Sequence, residues 1–288
     1  MLAVPVLRRS TLCFRTLLVA STASFAIATG AHAQVPDSAR KPTPADTARV
    51  KRADQRARQH VLANASVIRW YHVLGVVGGV AALTAIDEPV QRYTQRHRSK
   101  TLVDVAKVFR QEGEPYYYAG ISLGVLAVGV VTHNADIQRA GGRLVASVAA
   151  SAVVLEATKI VVGRSRPNEG VGAFSFHPFK SLRDSSGLNA RGSMPSGHTM
   201  AAFAVATSLA DDINNTPVRI LLYTLATGTA FSRVYDNRHW VSDVAMGAVL
   251  GITTSKLVSG RWRIFHLKPP GFLLTPTGAP ALSFNVPF

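Results

Sequence analysis

The sequence predicts a mainly α-helical protein built around about six core helices. Six apolar stretches are rich in Ala, Val, Leu and Gly, and they lack the polar–apolar alternation of a half-buried strand. These stretches cover residues 67–86, 116–133, 144–162, 198–210, 218–231 and 240–258. Hydrophobic residues make up 47% of the 288-residue chain, which is enough to fill the core of one large domain.

The first 33 residues predict an export signal peptide. Three arginines form a basic start, an apolar run follows, and Ala-His-Ala at 31–33 resembles a small-residue cleavage site. The alternative is a first transmembrane helix, but this run is short and rich in Thr, Ser and Ala. Residues 34–62 are polar and proline-bearing, then basic, which predicts a linker and a solvated basic helix. The chain is therefore expected in the periplasm or cell envelope.

Charge and cysteine content restrict the chemistry. The single cysteine, Cys13, lies in the predicted signal, so the exported chain would have neither disulfides, thiol nucleophiles nor cysteine-ligated zinc. Without the signal, 29 basic and 16 acidic residues give a net charge of +13. The basic residues are spread along the chain and are not interleaved with aromatic residues. This pattern disfavours nucleic acid and favours a phosphorylated small molecule, a phospholipid or an anionic membrane surface.

The remaining elements follow from local patterns. Residues 63–262 form the predicted helical domain, with longer connections at 87–115 and 163–197. Within the first connection, "KTLVDVAKVFRQEG" predicts an amphipathic helix with one apolar face, made of Leu102, Val105, Val108 and Phe109. The tail at 263–288 has Pro-Pro-Gly and Thr-Gly-Ala-Pro turns that predict a short β-hairpin. The oligomeric state is left open.

The stretch "SRVYDNRHWVSD" (232–243) combines a cation, an imidazole and a carboxylate. His239 and Asp243 are four residues apart, so on a helix entry they lie on one face. Asp243 can accept a hydrogen bond from one ring nitrogen and leave the other as a base or nucleophile. Arg233 adds an anion clamp. This combination is useful to a protein that binds an anionic substrate.

Two further motifs supply anion-binding groups. In "GSMPSGHT" (192–199), Ser196 is a natural helix N-cap, the Gly197 amide is available to an anion, and His198 follows. In "KIVVGRSRP" (159–167), Lys159 and Arg166 are seven residues apart, about two turns if the helix continues. Taken alone, each motif is explained by a helix cap or a basic helix end.

Together, the three motifs resemble those of the superfamily of type 2 phosphatidic acid phosphatases, bacterial class A acid phosphatases and vanadium haloperoxidases. The resemblance covers about residues 144–258 and implies that family's helical bundle. It implies that His239 is a nucleophile that becomes phosphohistidine, that Asp243 orients it, and that His198 is the general acid. The other matching positions would hold the phosphoryl oxygens: Lys159, Arg166, Ser196, Gly197 and Arg233.

The expected function is hydrolysis of phosphomonoesters without a metal or other cofactor. A lipid phosphate, an isoprenoid pyrophosphate or a soluble monoester would all fit, because the motifs contact only the phosphoryl group. Since His239 must be neutral and His198 protonated, a mildly acidic optimum is expected. Two alternatives remain: a haloperoxidase that binds vanadate at the same anion site, and a non-catalytic envelope protein.

Two further expectations concern the substrate's leaving group and the membrane. The loop at 174–192 places Phe174, Phe176, His177 and Phe179 as candidates to contact the leaving group. The motif-bearing helices have uncharged runs of only 12 to 14 residues, at 144–155, 197–210, 220–232 and 244–255. We therefore expect 144–258 to pack on itself, any membrane contact to run through 67–86 and 116–135, and the site to face outward.

Overall fold

The computed structural model describes residues 64–112, 115–179 and 192–264, and the backbone alone at 271–274 and 280–283. The side chains of residues 111, 112 and 115 are likewise not described. The predicted signal peptide and the linker at 34–62 lie outside these residues.

Seven helices occur in the described ranges, and they confirm the mainly helical fold. Each of the six predicted stretches falls on a helix, and the predicted amphipathic helix is the seventh. In chain order they are α1 (Trp70–Arg96), α2 (Lys100–Glu112), α3 (Pro115–Val131), α4 (Ala135–Val162), α5 (Gly197–Ile213), α6 (Thr216–Tyr235) and α7 (Val241–Val258).

Two helices extend well beyond the predicted stretches. Helix α1 continues through Pro89 to Arg96, so much of the predicted connection at 87–115 is helical. Helix α4 begins at Ala135 rather than near 144, because the Asn134 side chain caps it by accepting hydrogen bonds from the next amides, Asp136 N (3.0 Å) and Ile137 N (3.1 Å). In both cases the helix continues past the charged residue that bounds the uncharged run.

Short strands lie at the margins of the helical region. β1 (Ser66–Ile68) pairs in parallel with β2 (Trp262–Ile264), which joins the chain before α1 to the chain after α7. β3 (Gly271–Leu274) and β4 (Pro280–Ser283) pair antiparallel and form the hairpin predicted for the tail.

Helix α5 lies at the centre and packs against α4, α6 and α7. Ala202 and Ala206 of α5 meet Ala226 of α6 in a core of small side chains. On the side of α7, a Cβ at Gly251 would collide with the carbonyl oxygen of Met200. Glycine is needed there because the two backbones approach so closely.

The buried face of α2 agrees with the predicted apolar face only at Phe109. Leu102, Val105 and Val108 are exposed, whereas Ala106 is fully buried. The Phe109 ring lies against Gly228 of α6, where a Cβ would have no room. The contact with α6 is thus made by the face that also carries Arg110, one turn after Ala106.

Within the described residues, three helices are by length and composition apolar enough to cross a membrane: Trp70–Arg96, Ala135–Val162 and Val241–Val258. In the first two, only 11% of the most apolar window is buried inside the protein. The prediction that the motif-bearing helices are too short is therefore wrong for α4 and α7, because their charged residues lie near the ends of longer helices. The predicted contact through 67–86 agrees with α1, whereas α3 is a shorter apolar helix.

Candidate active site

A cavity of about 510 Å³ brings most of the predicted site residues together. Six of the eight line its wall: Lys159, Arg166, Gly197, His198, Arg233 and His239. Another six lining residues were not predicted: Arg110, Leu155, Glu156, Gly192, Asp236 and Arg238. Ser196 and Asp243 lie behind this wall and are fully buried.

The motif at 159–167 reaches the cavity through a turn rather than a continuous helix. Helix α4 ends at Val162, and Gly163 adopts a left-handed conformation with φ of 58°. A side chain there would collide with the carbonyl oxygen of His177, so glycine is required. Lys159 therefore points to the cavity from the last helical turn, where it pairs with Glu156 (3.0 Å). Arg166 reaches the same cavity from extended chain, so the helix does not continue as far as Arg166.

The motif at 232–243 is folded into a tight turn. Helix α6 ends at Tyr235, and Asn237 follows with φ of 56°. The amides of Arg238 and His239 both donate to the carbonyl oxygen of Arg233, at 3.1 and 3.2 Å. This turn places the side chains of Arg233 and His239 on one cavity although α6 has ended between them.

The backbone of the motif at 192–199 fixes the tautomer of His239. Its Nδ1 lies 2.8 Å from the carbonyl oxygen of Ser193. A carbonyl can only accept, so Nδ1 carries the proton and neutral His239 keeps its lone pair on Nε2. Only 4% of the His239 surface is exposed. The ring is therefore fixed in place with Nε2 available as a nucleophile or base.

Asp243 acts on this arrangement indirectly. Its Oδ2 lies 3.6 Å from His239 Nδ1, which is too long for the predicted hydrogen bond. Instead, Oδ2 accepts from Ser193 Oγ (2.5 Å) and from the Trp240 amide (2.9 Å). The carboxylate thus holds both the residue whose carbonyl orients His239 and the start of α7.

In the motif at 192–199, some residues make contacts other than the predicted ones. Ser196 occupies the N-cap position of α5, but its Oγ accepts from Thr199 Oγ1 (3.0 Å), and its amide donates to the carbonyl oxygen of Asp243 (3.0 Å). Gly197 does line the cavity, and a Cβ there would come within 2.9 Å of Leu155 Cδ2. His198 lies on the same wall.

A buried charge network behind the cavity was missed by the sequence analysis. Arg164 is 0% exposed and donates to Asp243 Oδ1 and Asp87 Oδ2, both at 2.7 Å. It also donates to Ser242 Oγ (2.6 Å) and to the carbonyl oxygen of Ala173 (2.7 and 2.9 Å). Asp87 of α1 in turn accepts from the amide of Ser242 (2.9 Å). The first turn of α7 is thereby anchored to α1 and to the chain after α4.

Two features of the sequence could have indicated this network. Arg164 precedes Arg166 by two residues, and after the glycine the chain is extended, so the two side chains point to opposite sides. One arginine then faces the cavity and the other the interior. Asp87 is an acidic residue within an otherwise apolar stretch, and an unexplained carboxylate there calls for a buried partner.

Burial and neighbouring charges shift two pKa values at the cavity. Burial lowers the pKa of His239, and the nearby Asp243 carboxylate opposes this shift. Burial also lowers the pKa of Arg166, and the positive charge of Arg238 lowers it further. His239 therefore stays neutral, and able to attack, to lower pH than an ordinary histidine.

The four residues expected to contact the leaving group lie elsewhere. Among the described residues that line the cavity, none is Phe174, Phe176, His177 or Phe179. The Phe176 ring lies 5.3 Å from the guanidinium of Arg164, and His177 Nε2 lies 3.1 Å from Ser175 Oγ. Residues 180–191 of that loop are outside the described residues.

Comparison with known proteins agrees with the motifs. Residues 140–263 match the PAP2 superfamily. The matched segment contains all three motifs and confirms the resemblance found in the sequence. Asp87 and Arg110 lie outside this PAP2 segment.

Two curated relatives are similar over short segments. The chain is 43% identical over 75 residues to a lipid A 1-phosphatase of Porphyromonas gingivalis, which is 25% of this chain and 16% of that protein. It is 38% identical over 73 residues to an acid phosphatase of Zymomonas mobilis, which is 25% of this chain and 27% of that protein. The chain thus spans well under a third of each curated relative.

Two solved structures are also similar. The crystal structure of Aquifex aeolicus LpxE is 19% identical, covers 60% of this chain and 94% of its own, and gives a TM-score of 0.47. A transmembrane PAP2 type phosphatidylglycerolphosphate phosphatase from Bacillus subtilis is 21% identical, covers 65% of this chain and 94% of its own, and gives a TM-score of 0.49.

Proposed function

We propose that this chain is a phosphatase that hydrolyses phosphomonoesters through a phosphohistidine at His239, with lipid phosphates as its substrates. The observation that carries the proposal is the tautomer of His239. Its Nδ1 proton is donated to the Ser193 carbonyl, so Nε2 has the lone pair needed for attack, at a cavity lined by cations. The similarity to curated phosphatases supports the same reaction class.

The first chemical step forms a bond between His239 Nε2 and phosphorus and breaks the bond to the ester oxygen. His198 donates a proton to the departing oxygen. Lys159, Arg166 and Arg233 stabilise the negative charge spread over the three equatorial oxygens. In the second step, water loses its proton to His198 and attacks phosphorus. Phosphate then leaves and His239 is regenerated.

We propose that neither step needs a metal or other cofactor. The three motif cations and the amide at the start of α5 supply the charge stabilisation that a metal provides in many phosphatases. An oxyanion of vanadium would fit the same cations, as the haloperoxidase alternative requires. The experiment below therefore includes a measurement of bromide oxidation.

We also propose that the protein is embedded in the membrane, with the site opening on its outer side. Large apolar side chains such as Trp70, Leu74 and Val153 are exposed on the surfaces of α1 and α4. Such surfaces are stable in lipid and costly in water. A site beside a membrane suits a phosphate carried on a lipid.

The test is the variant His239→Asn, assayed with p-nitrophenyl phosphate and with a phosphatidic acid in detergent. We expect both activities to fall by at least a thousandfold while the circular dichroism spectrum is unchanged, because the nucleophile is lost. His133→Asn is the matched control, since His133 is exposed and its φ of 53° suits asparagine. Activity of His239→Asn within tenfold of the wild type would contradict the assignment.

Orthovanadate provides a second measurement on the wild type. It should inhibit the phosphatase because it mimics five-coordinate phosphorus. Bromide oxidation by peroxide in the presence of vanadate, without any phosphatase activity, would instead favour the haloperoxidase.

A further inference from the structure

Two carboxylates line the cavity beside the motif cations, and the resemblance gives a role to neither. They are Glu156 and Asp236. Five cations share the same wall: Arg110, Lys159, Arg166, Arg233 and Arg238. With both histidines neutral, these five positive and two negative side chains give the described lining a net charge of +3. A carboxylate beside a phosphate-binding cation repels the phosphate, so these two weaken the binding that the cations favour.

Asp236 bridges a motif cation and a cation outside the motifs. Its Oδ2 accepts hydrogen bonds from Arg233 Nη2 and from Arg110 Nη1, each at 3.3 Å. Both contacts are longer than the distance of about 2.7–2.9 Å that is typical of charge-assisted hydrogen bonds. In contrast, buried Arg164 donates to each of its two carboxylates at 2.7 Å. The contact between Asp236 and Arg233 is therefore a weak one.

The local structure keeps Asp236 next to both cations. Its amide donates to the carbonyl oxygen of Ser232 (2.9 Å), so the last turn of α6 continues through it. Asp236 and Arg233 are three residues apart and lie on one side of that turn. Arg110 comes from α2, which the packing of Phe109 seats on α6. The carboxylate thus has a second cation that holds it at the cavity wall.

The Asp236 carboxylate and a phosphoryl oxygen compete for Arg233. Both residues line the cavity, so a phosphoryl group that contacts the guanidinium meets the carboxylate there. If both anions stayed on Arg233, they would lie side by side and repel each other. Because Arg110 donates to the same Oδ2, the carboxylate can leave Arg233 and keep a cationic partner. The weak contact at 3.3 Å makes this exchange easy.

We propose that Asp236 is an exchangeable counter-anion of Arg233, which weakens phosphate binding and thereby speeds the release of product. When a phosphoryl group contacts Arg233, the Asp236 carboxylate stays with Arg110 alone. When phosphate leaves, the carboxylate returns to Arg233. The role in product release rests on the proposed function, whereas the exchange concerns binding only. A carboxylate that served only to orient Arg233 would have the opposite effect and strengthen phosphate binding.

The first experiment is calorimetric titration of the full chain in detergent with inorganic phosphate. Asp236→Asn should lower the Kd for phosphate by about tenfold, because asparagine keeps the size and an acceptor oxygen but removes the competing charge. Asp104→Asn is the matched control on α2, since Asp104 is exposed and pairs with Lys107 at 3.4 Å. Its Kd should stay within about twofold of the wild type. A Kd for Asp236→Asn that is unchanged or higher would overturn the proposal, and damage to the fold cannot imitate tighter binding.

Glu156 distinguishes a specific exchange from a general effect of charge in the cavity. It accepts from Lys159 Nζ at 3.0 Å, but its side chain is 59% exposed, against 12% for Asp236. Solvent screens an exposed charge more strongly, so Glu156→Gln should tighten phosphate binding less than Asp236→Asn does. Equal effects would mean that net charge alone controls affinity, and would overturn the exchange on Arg233.

Arg110→Gln tests the second partner of the carboxylate. In the wild-type background it removes one cavity cation and also leaves Asp236 with Arg233, so phosphate should bind more weakly. In the Asp236→Asn background only the loss of the cation remains, so the increase in Kd should be smaller. Equal increases in the two backgrounds would overturn the exchange.

Kinetics with p-nitrophenyl phosphate keeps this inference distinct from the phosphatase assignment. Asp236→Asn should lower the Ki of the product phosphate by the same factor as its Kd. If the wild type hydrolyses no phosphate ester, the phosphatase assignment fails, and the calorimetric Kd values still decide the exchange. Hydrolysis by the wild type with an unchanged or raised Ki in Asp236→Asn would overturn the exchange alone.

Discussion

Replacing Arg164 by methionine should destabilise the protein severely. Methionine keeps the length and apolar stem but removes five hydrogen bonds, two of them to the carboxylates of Asp87 and Asp243. Both carboxylate side chains are 0% exposed, so neither can recover its hydration. Removing one partner of a buried ion pair costs about 3–5 kcal/mol, and here two charges lose the same partner.

The expected change is large enough to measure by thermal unfolding in detergent. For a domain of this size, 1 kcal/mol corresponds to about 2–4 °C in Tm. Arg164→Met should therefore lower Tm by at least about 6 °C. Arg92→Met is the control, because Arg92 pairs with Glu88 at 3.2 Å with both side chains largely exposed. Exposed pairs contribute about 0–1 kcal/mol, so its Tm should change by less than about 4 °C.

A double-mutant cycle tests the cause of the change. In the background of Asp87→Asn, Arg164→Met leaves one carboxylate rather than two without a partner, so its cost should be smaller. Equal costs in the two backgrounds would refute a direct interaction across the network. A Tm of Arg164→Met within the range of the Arg92→Met control would refute the reasoning altogether.

Two further predictions concern pH and orientation. Because burial lowers the pKa of His239, kcat/KM should lose activity on the acid side only below the ordinary histidine value of 6.5, and Asp243→Asn should move this acid limb lower still. The same shift means that the unfolded chain binds more protons than the folded chain just below pH 6.5, so stability should fall as the pH falls there. His239→Asn should reduce this slope in plots of Tm against pH. An unchanged slope would contradict the assignment. For orientation, in a Cys13→Ser background, exposed Val171→Cys, five residues after Arg166, should react with an impermeant thiol reagent on intact cells. Thr216→Cys, at the start of α6 and beyond the end of α5 that is far from the site, should react only after permeabilisation. The opposite pattern would mean that the site faces inward.

Much of the fold could be predicted because long apolar runs have few alternatives to helix. The exact ends could not, since a charged residue that ends an uncharged run can still lie within a helix. Asn134 caps α4 well before the apolar run begins, and Pro89 lies within α1. The predicted apolar face of α2 is buried only at Phe109. Leu102 and Val105 are apolar, but the groove beside Gly228 selects the face with Ala106 and Phe109.

The site was predictable where a motif fixes the spacing of its members. His198, His239 and Arg233 line one cavity as expected. What spacing could not show is which contact a side chain makes. Asp243 is one turn from His239, yet its hydrogen bond goes to Ser193. That contact depends on a segment distant in sequence, which only the packing of α5 against α7 brings close.

The functional unit is larger than the segment with PAP2 similarity. Asp87 and Arg110 both precede residue 140, yet one neutralises buried Arg164 and the other lines the cavity. Tyr235, at the end of α6, shows the same dependence. Its hydroxyl accepts from the Ser99 amide (2.9 Å), and its carbonyl accepts from Arg98 (2.9 Å). The helices before the motifs therefore supply charge and position to the site. Residues 140–263 alone would lack one of the two carboxylate partners of Arg164, Asp87, and the cavity-lining Arg110.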